Sequence, residues 1–129
     1  MIYLDTSVLL VYTLTQSIEV ERFRTVHRLF SQIASGAISA TTSFYALYEV
    51  YVFALENSPS LEMGYKFGKL ALERILASPL RILPFASRTE RSRLGRRFSL
   101  LRDPIDIPHA VAAYLATHII PYKTPAEYL

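Results

Sequence analysis

The sequence contains no cysteine, and this absence excludes several kinds of chemistry. Disulfide bonds, a thiol nucleophile and a structural zinc site held by thiolates all require cysteine. The absence also suits a protein of the reducing cytoplasm, which is where we expect this chain to act. Glycine is scarce as well, with four residues and no glycine-rich loop that could cradle a phosphate group. This scarcity disfavours an α/β phosphohydrolase built on such a loop.

Long hydrophobic runs are also missing. Although 51% of the 129 residues are hydrophobic, no run approaches the roughly 20 residues that a membrane-spanning helix needs. The apolar stretch at 8–14 is short, and no cationic segment precedes it as one does in a signal peptide. We therefore expect no contact with a membrane. The length suits one domain, over residues 1–129, with a core of its own.

Positive charge is concentrated in one segment of the chain. The net charge is +3, but residues 88–102 hold six arginines against one glutamate, so this segment carries +5 and the remainder −2. The planar guanidinium group of arginine is well suited to phosphate. The segment predicts a helix whose arginines, among them Arg93, Arg96 and Arg97, can contact phosphate groups. The alternative is a helix face that is simply solvated.

The apolar spacing predicts an alternation of strands and helices. Helices with apolar residues at three- and four-residue intervals lie between short strands, and capping residues mark several of their ends. Gly36 ends the helix at 19–35, and Thr41, Thr42 and Ser43 supply N-cap groups for the helix that follows. Such alternation implies a parallel sheet covered on both faces by helices. The predicted strands are 2–4, 37–40, 80–84 and 119–122, and the predicted helices are 7–15, 19–35, 44–56, 61–77, 87–101 and 103–117.

Three acidic residues stand in apolar surroundings at distant points of the chain. Asp5 directly follows the first predicted strand, Glu49 is the only charged residue between Phe44 and Leu55, and Asp106 lies near the start of a helix rich in small apolar residues. A buried carboxylate is costly unless something positive compensates it. Carboxylates without a cluster of histidine or cysteine indicate a site for Mg²⁺ or Mn²⁺. The three acids therefore predict one shared cation.

Each of these acids also has a structural explanation. Asp5 fits the N-cap of the helix that follows it. Asp103, Pro104 and Asp106 fit an N-cap, a first helical position and an acid in the first turn. Glu49 fits a residue at the rim of the core, or the partner of a buried arginine. The three explanations remain open at the level of the sequence.

The ordered set of motifs resembles the PIN domain, in particular the VapC-type toxins of prokaryotic toxin–antitoxin pairs. The resemblance rests on Ile-Tyr-Leu-Asp5-Thr-Ser-Val-Leu, on Tyr-Glu49-Val, and on Asp106-Ile-Pro-His-Ala-Val-Ala-Ala. The segment at 123–129, Lys-Thr-Pro-Ala-Glu-Tyr-Leu, also looks like the usual tail of these proteins. The resemblance covers nearly the whole chain, and its motifs come in the family's order.

The resemblance implies a fold, an activity and a set of site residues. The fold is a three-layer α/β sandwich with a short central parallel sheet, and the activity is metal-dependent endoribonuclease cleavage with Mg²⁺ or Mn²⁺. The implied catalytic and metal-binding residues are Asp5, Glu49 and Asp106. Asp103 is a further candidate ligand. The implied polar supports are Thr6 and Ser7.

The chain departs from the family's pattern after the helix that contains Asp106. PIN domains usually continue with a strand that ends in Ser/Thr-x-Asp/Asn and supplies a fourth polar residue. Here Pro121 and Lys123 stand where the threonine and the aspartate are sought. Three alternatives follow. The site works with three acids, or Asp103 takes the fourth role, or the domain has lost its chemistry and only binds RNA or a protein partner.

The family also implies partners. A toxin of this kind acts on an RNA substrate, whose backbone Arg93, Arg96 and Arg97 would contact. It is held by an antitoxin protein, and PIN proteins commonly form two-fold dimers. Aromatic residues are enriched at the centres of interfaces, and one part of this chain has more of them than a small core obviously needs. These residues are Tyr45, Tyr48, Tyr51, Phe53, Tyr65 and Phe67. We therefore expect a homodimer built partly on these helices, the alternative being that all six pack inside the monomer.

Overall fold

The computed structural model describes residues 1–84 of the chain. Four helices and three strands occur in this part, so the described residues have the expected α/β character. The elements in chain order are β1 (Ile2–Tyr3), α1 (Thr6–Thr13), α2 (Val20–Ala34), β2 (Ala40–Ser43), α3 (Phe44–Glu56), α4 (Leu61–Leu76) and β3 (Arg81–Leu83).

The three strands form one parallel sheet in the order β1-β2-β3. Ile2 of β1 pairs with Ala40 of β2, and Thr41 of β2 pairs with Arg81 of β3. Each strand is joined to the next by two helices, as parallel pairing requires a long crossover connection. All three strands therefore end at the same edge of the sheet, and that edge also receives the starts of α1 and α3.

One face of the sheet forms the main core with the four helices. The strand residues of this core are Ile2, Leu4 and Ala40. Every helix contributes buried apolar side chains to the same cluster. The helical members are Val8, Leu9, Val11, Val26, Leu29, Phe30, Ile33, Ala46, Leu47, Val50, Ala71 and Ile75. The described part of the chain thus has two layers in contact, a sheet and the helices on one side of it.

The C-terminus of α2 confirms a prediction made from one glycine. Gly36 follows the helix with a φ of +83°, a conformation that side chains other than glycine rarely adopt. Its N–H donates to the carbonyl of Ile33 at 3.1 Å, and the N–H of Ala37 donates to the carbonyl of Gln32 at 2.9 Å. These two bonds are those of a Schellman motif, which satisfies the last carbonyls of the helix. They turn the chain toward β2.

The position of β2 corrects the sequence prediction. The predicted strand was 37–40, but the observed strand is Ala40–Ser43, so two threonines expected in the cap of α3 belong to the sheet. Threonine is β-branched and favours extended backbone. Only Ser43 performs the predicted capping, because its side chain accepts a hydrogen bond from the backbone N–H of Ala46 at 3.1 Å.

Thr41 and Thr42 can be buried in β2, the central strand, because their hydroxyl groups form hydrogen bonds to the chain on either side of it. The Thr42 hydroxyl donates to the carbonyl of Leu4 at 2.7 Å. The Thr41 hydroxyl donates to the carbonyl of Arg81 at 2.7 Å. A buried hydroxyl without a partner would cost on the order of 1–3 kcal/mol. These bonds remove that cost and link β2 to β1 and to β3.

Helices α3 and α4 approach each other closely along a stripe of small residues. A Cβ atom on Gly64 would lie 2.9 Å from the Cα of Leu55, and one on Gly68 would lie 2.6 Å from a ring carbon of Tyr51. Both distances are shorter than ordinary contacts. The two glycines therefore let α4 lie directly against α3.

The remaining predicted elements agree with the structure to within one or two residues as far as it describes the chain. The predicted helices 87–101 and 103–117 and the predicted strand 119–122 lie outside the described residues. No helix within 1–84 has the length and apolar character needed to cross a membrane.

Candidate functional site

Asp5 lies directly after β1, at the start of α1. One of its carboxylate oxygens, Oδ1, accepts a hydrogen bond from the backbone N–H of Val8 at 3.2 Å and another from the Ser7 hydroxyl at 2.8 Å. The first of these bonds is that of an N-cap, so the capping role predicted for Asp5 is confirmed. Ser7 supports the orientation of the carboxylate. Asp5 itself is only partly buried.

Glu49 lies in the second turn of α3 and is partly buried. Its Oε1 atom accepts a hydrogen bond of 2.6 Å from the hydroxyl of Thr6. Thr6 is the first residue of α1 and follows Asp5 directly. The predicted support by Thr6 is thus present as a contact, and it brings Glu49 beside the start of α1. The structure therefore places two of the three predicted acids at the same edge of the sheet.

A second pair of side chains lies beneath these carboxylates, on the face of the sheet opposite to the main core. The Tyr3 hydroxyl and the Ser43 hydroxyl are joined by a hydrogen bond of 2.8 Å. Each of the two residues is 2% exposed. Tyr3 belongs to β1 and Ser43 ends β2, so this bond joins the two strands just before the helices begin.

The electrostatics of Tyr3 show that both carboxylates are near it. Burial penalises the phenolate and raises the pKa of the Tyr3 hydroxyl well above its usual range. The hydrogen bond with Ser43 lowers the pKa in part, while the negative charges of Asp5 and Glu49 raise it further. Tyr3 is therefore a neutral hydroxyl group at the base of the site throughout the physiological pH range.

The oxygen atoms at this edge suit a hard divalent cation. Asp5 and Glu49 supply carboxylates, and Thr6 and Ser7 supply hydroxyl groups beside them. Mg²⁺ and Mn²⁺ prefer oxygen ligands of this kind, and Mg²⁺ needs only one or two direct carboxylates. Within residues 1–84 no group of three or more acidic or histidine side chains comes together that could hold a metal ion. The described residues thus bring two carboxylates and two hydroxyl groups to one edge of the sheet.

The other predicted site residues lie outside the described part of the chain. These are the acids Asp103 and Asp106 and the arginines Arg93, Arg96 and Arg97. Their predicted roles stay predictions.

The sequence interpretation missed two residues that the structure brings to this site, Tyr3 and Tyr45. Tyr3 precedes Asp5 by two positions, and Tyr45 precedes Glu49 by four. Residues two apart in an extended strand share one side of it, and residues four apart in a helix share one face. The charge states of Asp5, Glu49 and Tyr45 all act on Tyr3. Periodicity around each acid could therefore have identified both tyrosines as neighbours.

The aromatic residues of α3 and α4 differ in their exposure. Tyr48 is 58% exposed, Tyr65 is 53% exposed and Phe67 is 38% exposed. The other three, Tyr45, Tyr51 and Phe53, are half-buried. None of the six is fully buried.

Comparison of the chain with protein-family models, with curated proteins and with solved structures gave no match.

Proposed function

We propose that the chain is a metal-dependent endoribonuclease with a PIN-like three-layer sandwich fold, and that it is the toxin of a prokaryotic toxin–antitoxin pair. The observation that carries the proposal is the 2.6 Å hydrogen bond between Thr6 and Glu49. It joins two motifs of the PIN-like pattern, Asp5-Thr-Ser and Tyr-Glu49-Val, which are distant in the sequence. The two meet where parallel strands end, which is where α/β folds usually place their ligands.

The residues of the site have distinct roles in this proposal. Asp5 and Glu49 bind the cation together with Asp106. Thr6 fixes the orientation of the Glu49 carboxylate, and Ser7 fixes that of Asp5. When bound, Mg²⁺ or Mn²⁺ lowers the pKa of a water molecule and neutralises charge that develops on the phosphodiester.

RNA binding is assigned to the basic segment that precedes Asp103. A segment that carries a net charge of +5 attracts the phosphate backbone without regard to base sequence. The contacts proposed are those of Arg93, Arg96 and Arg97. An arginine side chain can bind a phosphate group through two parallel hydrogen bonds, which holds the backbone in a fixed position relative to the acids.

The main alternative is a PIN-like module without catalysis, which binds RNA or a protein partner. It follows from Pro121 and Lys123, which occupy the positions where a fourth polar residue is sought. If Asp103 supplies the missing carboxylate, Asp103→Asn reduces cleavage nearly as much as Asp106→Asn does. If Asp103 only caps the helix, the substitution is close to neutral, because asparagine caps about as well as aspartate.

The proposed partners are an antitoxin protein and a second copy of the chain. The exposed aromatic residues of α3 and α4, among them Tyr48 and Tyr65, support an interface on this side of the molecule. The proposed site of action is the cytoplasm, in keeping with the absence of cysteine.

A cleavage assay on structured RNA tests the proposed activity. The purified chain is incubated with RNA in Mg²⁺, in Mn²⁺ or in EDTA. We expect cleavage with either metal and none with EDTA. The Asp5→Asn variant serves as the control for a contaminating nuclease, because it retains the charge pattern of the arginine segment. No cleavage by the wild type with either metal would favour the non-catalytic alternative.

A further inference from the structure

The start of α3 is fixed by the side chain that ends β2. Ser43 is both the last residue of that strand and the N-cap of the helix, and its hydroxyl accepts the N–H of Ala46 at 3.1 Å. An N-cap determines where a helix begins and the direction in which it leaves. Any group that holds the Ser43 hydroxyl in place therefore also holds the first turn of α3.

The group that holds Ser43 is the hydroxyl of Tyr3. The two oxygens are 2.8 Å apart, and both residues are 2% exposed, so water does not compete for the bond. The Tyr3 ring packs with Leu83 of β3, which restricts its movement. Strand pairing places Tyr3 opposite Thr41, two residues before Ser43, so the ring spans from one strand to the end of the next.

Glu49 follows Ser43 by less than two helical turns. At a rise of about 1.5 Å for each residue, its Cα lies roughly 9 Å along the axis from the cap. A change in the direction of the first turn of α3 would therefore displace the carboxylate that receives the Thr6 hydroxyl. The two hydrogen bonds, Tyr3 to Ser43 and Thr6 to Glu49, tie the same helix to the same strand end.

We propose that Tyr3 and Ser43 are positioning residues, whose hydrogen bond fixes the first turns of α3 so that Glu49 stays against Thr6, beside Asp5. Their effect on metal binding rests on the proposed function, but their effect on the Thr6–Glu49 contact does not. Loss of the Tyr3 hydroxyl leaves Ser43 as a cap whose side chain has lost a buried partner. The first turn of α3 then samples other directions, and the donor set of the site is less well ordered.

The test uses Tyr3→Phe, which removes one oxygen and retains the ring. Tyr12→Phe is the matched control, since Tyr12 lies in the last turn of α1 with its ring stacked on Phe30. The coupling free energy between Thr6 and Glu49 is measured in the wild type, in Tyr3→Phe and in Tyr12→Phe. Each measurement is a double-mutant cycle of Thr6→Val and Glu49→Leu, based on urea unfolding without metal. Binding of Mn²⁺ is measured separately by calorimetry.

We expect the Thr6–Glu49 coupling to fall to a small fraction of its wild-type size in Tyr3→Phe and to be unchanged in Tyr12→Phe. Mn²⁺ affinity should fall roughly tenfold in Tyr3→Phe alone, the lower end of the range for groups that orient metal ligands. Ser43→Gly should give the same loss of coupling, because glycine is tolerated as an N-cap and lacks the hydroxyl.

Undiminished coupling in Tyr3→Phe and in Ser43→Gly would overturn the positioning role, whatever the metal affinity. If the wild type neither binds Mn²⁺ nor cleaves RNA, the proposed function fails and the coupling measurement alone decides the role of Tyr3. If the cycle cannot be completed in the Tyr3→Phe background, amide exchange of Ala46 in Tyr3→Phe alone and in the wild type decides instead. Equal protection of that amide would contradict the proposal.

Discussion

Thr6 and Glu49 are 43 residues apart in the sequence and are joined by a hydrogen bond of 2.6 Å. The bond connects the first turn of α1 with the second turn of α3, and its acceptor is a carboxylate. Hydrogen bonds to charged groups contribute about 1.5–3 kcal/mol when they are protected from water. Because both side chains are only partly buried, the lower part of that range applies. The same contact that stabilises the fold therefore positions a candidate ligand.

Asp5→Asn separates the capping role of Asp5 from its role in cleavage. Asparagine accepts the N–H of Val8 as aspartate does, and the substitution removes a negative charge beside Glu49. We expect the free energy of unfolding without metal to stay at the wild-type value or to rise, while cleavage is lost. Asp5→Ala is the matched control, and it should lose about 1 kcal/mol of stability because the cap is gone. Urea unfolding and the cleavage assay measure the two effects. Cleavage retained by Asp5→Asn would show that Asp5 is chiefly structural.

Gly64→Ala should destabilise the protein more than Gly68→Ala does. The added Cβ would meet the backbone of Leu55 at 2.9 Å in the first case, but a side-chain ring of Tyr51 in the second. A ring can rotate or shift, whereas a backbone atom moves only with its helix. Alanine also gains about 1 kcal/mol of helix propensity at each position. We expect a net loss of about 1–3 kcal/mol for Gly64→Ala and a smaller one for Gly68→Ala, measured by urea unfolding. Equal losses would contradict this account of the contact.

Tyr3 should make the protein less stable in alkali. Below about pH 10, the usual pKa of tyrosine, the phenol is protonated in both the folded and the unfolded chain. Above it the unfolded chain releases its proton first, because burial raises the pKa in the folded state. Stability should then fall by about 1.4 kcal/mol for each further pH unit. Tyr3→Phe should lack this part of the decline, which unfolding at about pH 8 and about pH 11 would reveal. Parallel declines in the two proteins would rule out the effect.

Replacing Arg93, Arg96 and Arg97 with glutamine should weaken RNA binding and reduce its dependence on salt. Each lost phosphate contact lowers the slope of log affinity against log salt concentration by roughly 0.7–0.9. Filter binding over a series of salt concentrations measures the slope. Lys66 and Lys69 on α4 offer a control, because glutamine at these positions removes positive charge from outside the arginine segment. An unchanged slope in the triple variant would assign the segment to a solvated face or to protein contacts.

The aromatic residues of α3 and α4 predict a homodimer. Tyr48 and Tyr65 are more than half exposed, and exposed aromatic side chains favour association. We expect a dimer by light scattering at micromolar concentration, and a shift toward the monomer when both tyrosines are replaced with serine. Replacing the exposed Ile18 with serine, on the connection between α1 and α2, should leave the mass unchanged. A monomeric wild type would contradict the prediction.

The sequence predicts the described helices well because their ends carry local signals. Ser60 caps α4 through the N–H of Met63 at 3.2 Å, and Gly36 terminates α2, both as expected from residue type. The strand β2 was misplaced because its local signals compete. Threonine and serine suit both a strand and a cap, and only the hydroxyl bonds to Leu4 and Arg81 decide for the strand. Those bonds are made across the sheet, so no local pattern contains them.

The candidate site was predictable only where local sequence signals mark its residues. Asp5 and Glu49 stand out because each is a charge in apolar surroundings, which is visible in the sequence. The pairing of Glu49 with Thr6 depends on how the crossover connection through α1 and α2 returns the chain to the same edge of the sheet. The bond between Tyr3 and Ser43 depends on strand register. A shift of one residue would turn one of the two side chains to the other face of the sheet and abolish the bond. Such contacts follow from the completed fold.

The parallel sheet has a consequence for how the chain folds. Its strand pairs join residues far apart in the sequence, as Ile2 with Ala40 and Thr42 with Ile82. Pairings of this kind close long loops and therefore form slowly, whereas the contacts between α3 and α4 are local. A partly folded chain can thus contain most of its helices while Asp5 and Glu49 are still apart. During refolding, helix content should recover before Thr6 and Glu49 form their hydrogen bond, so that bond reports when the native state is complete.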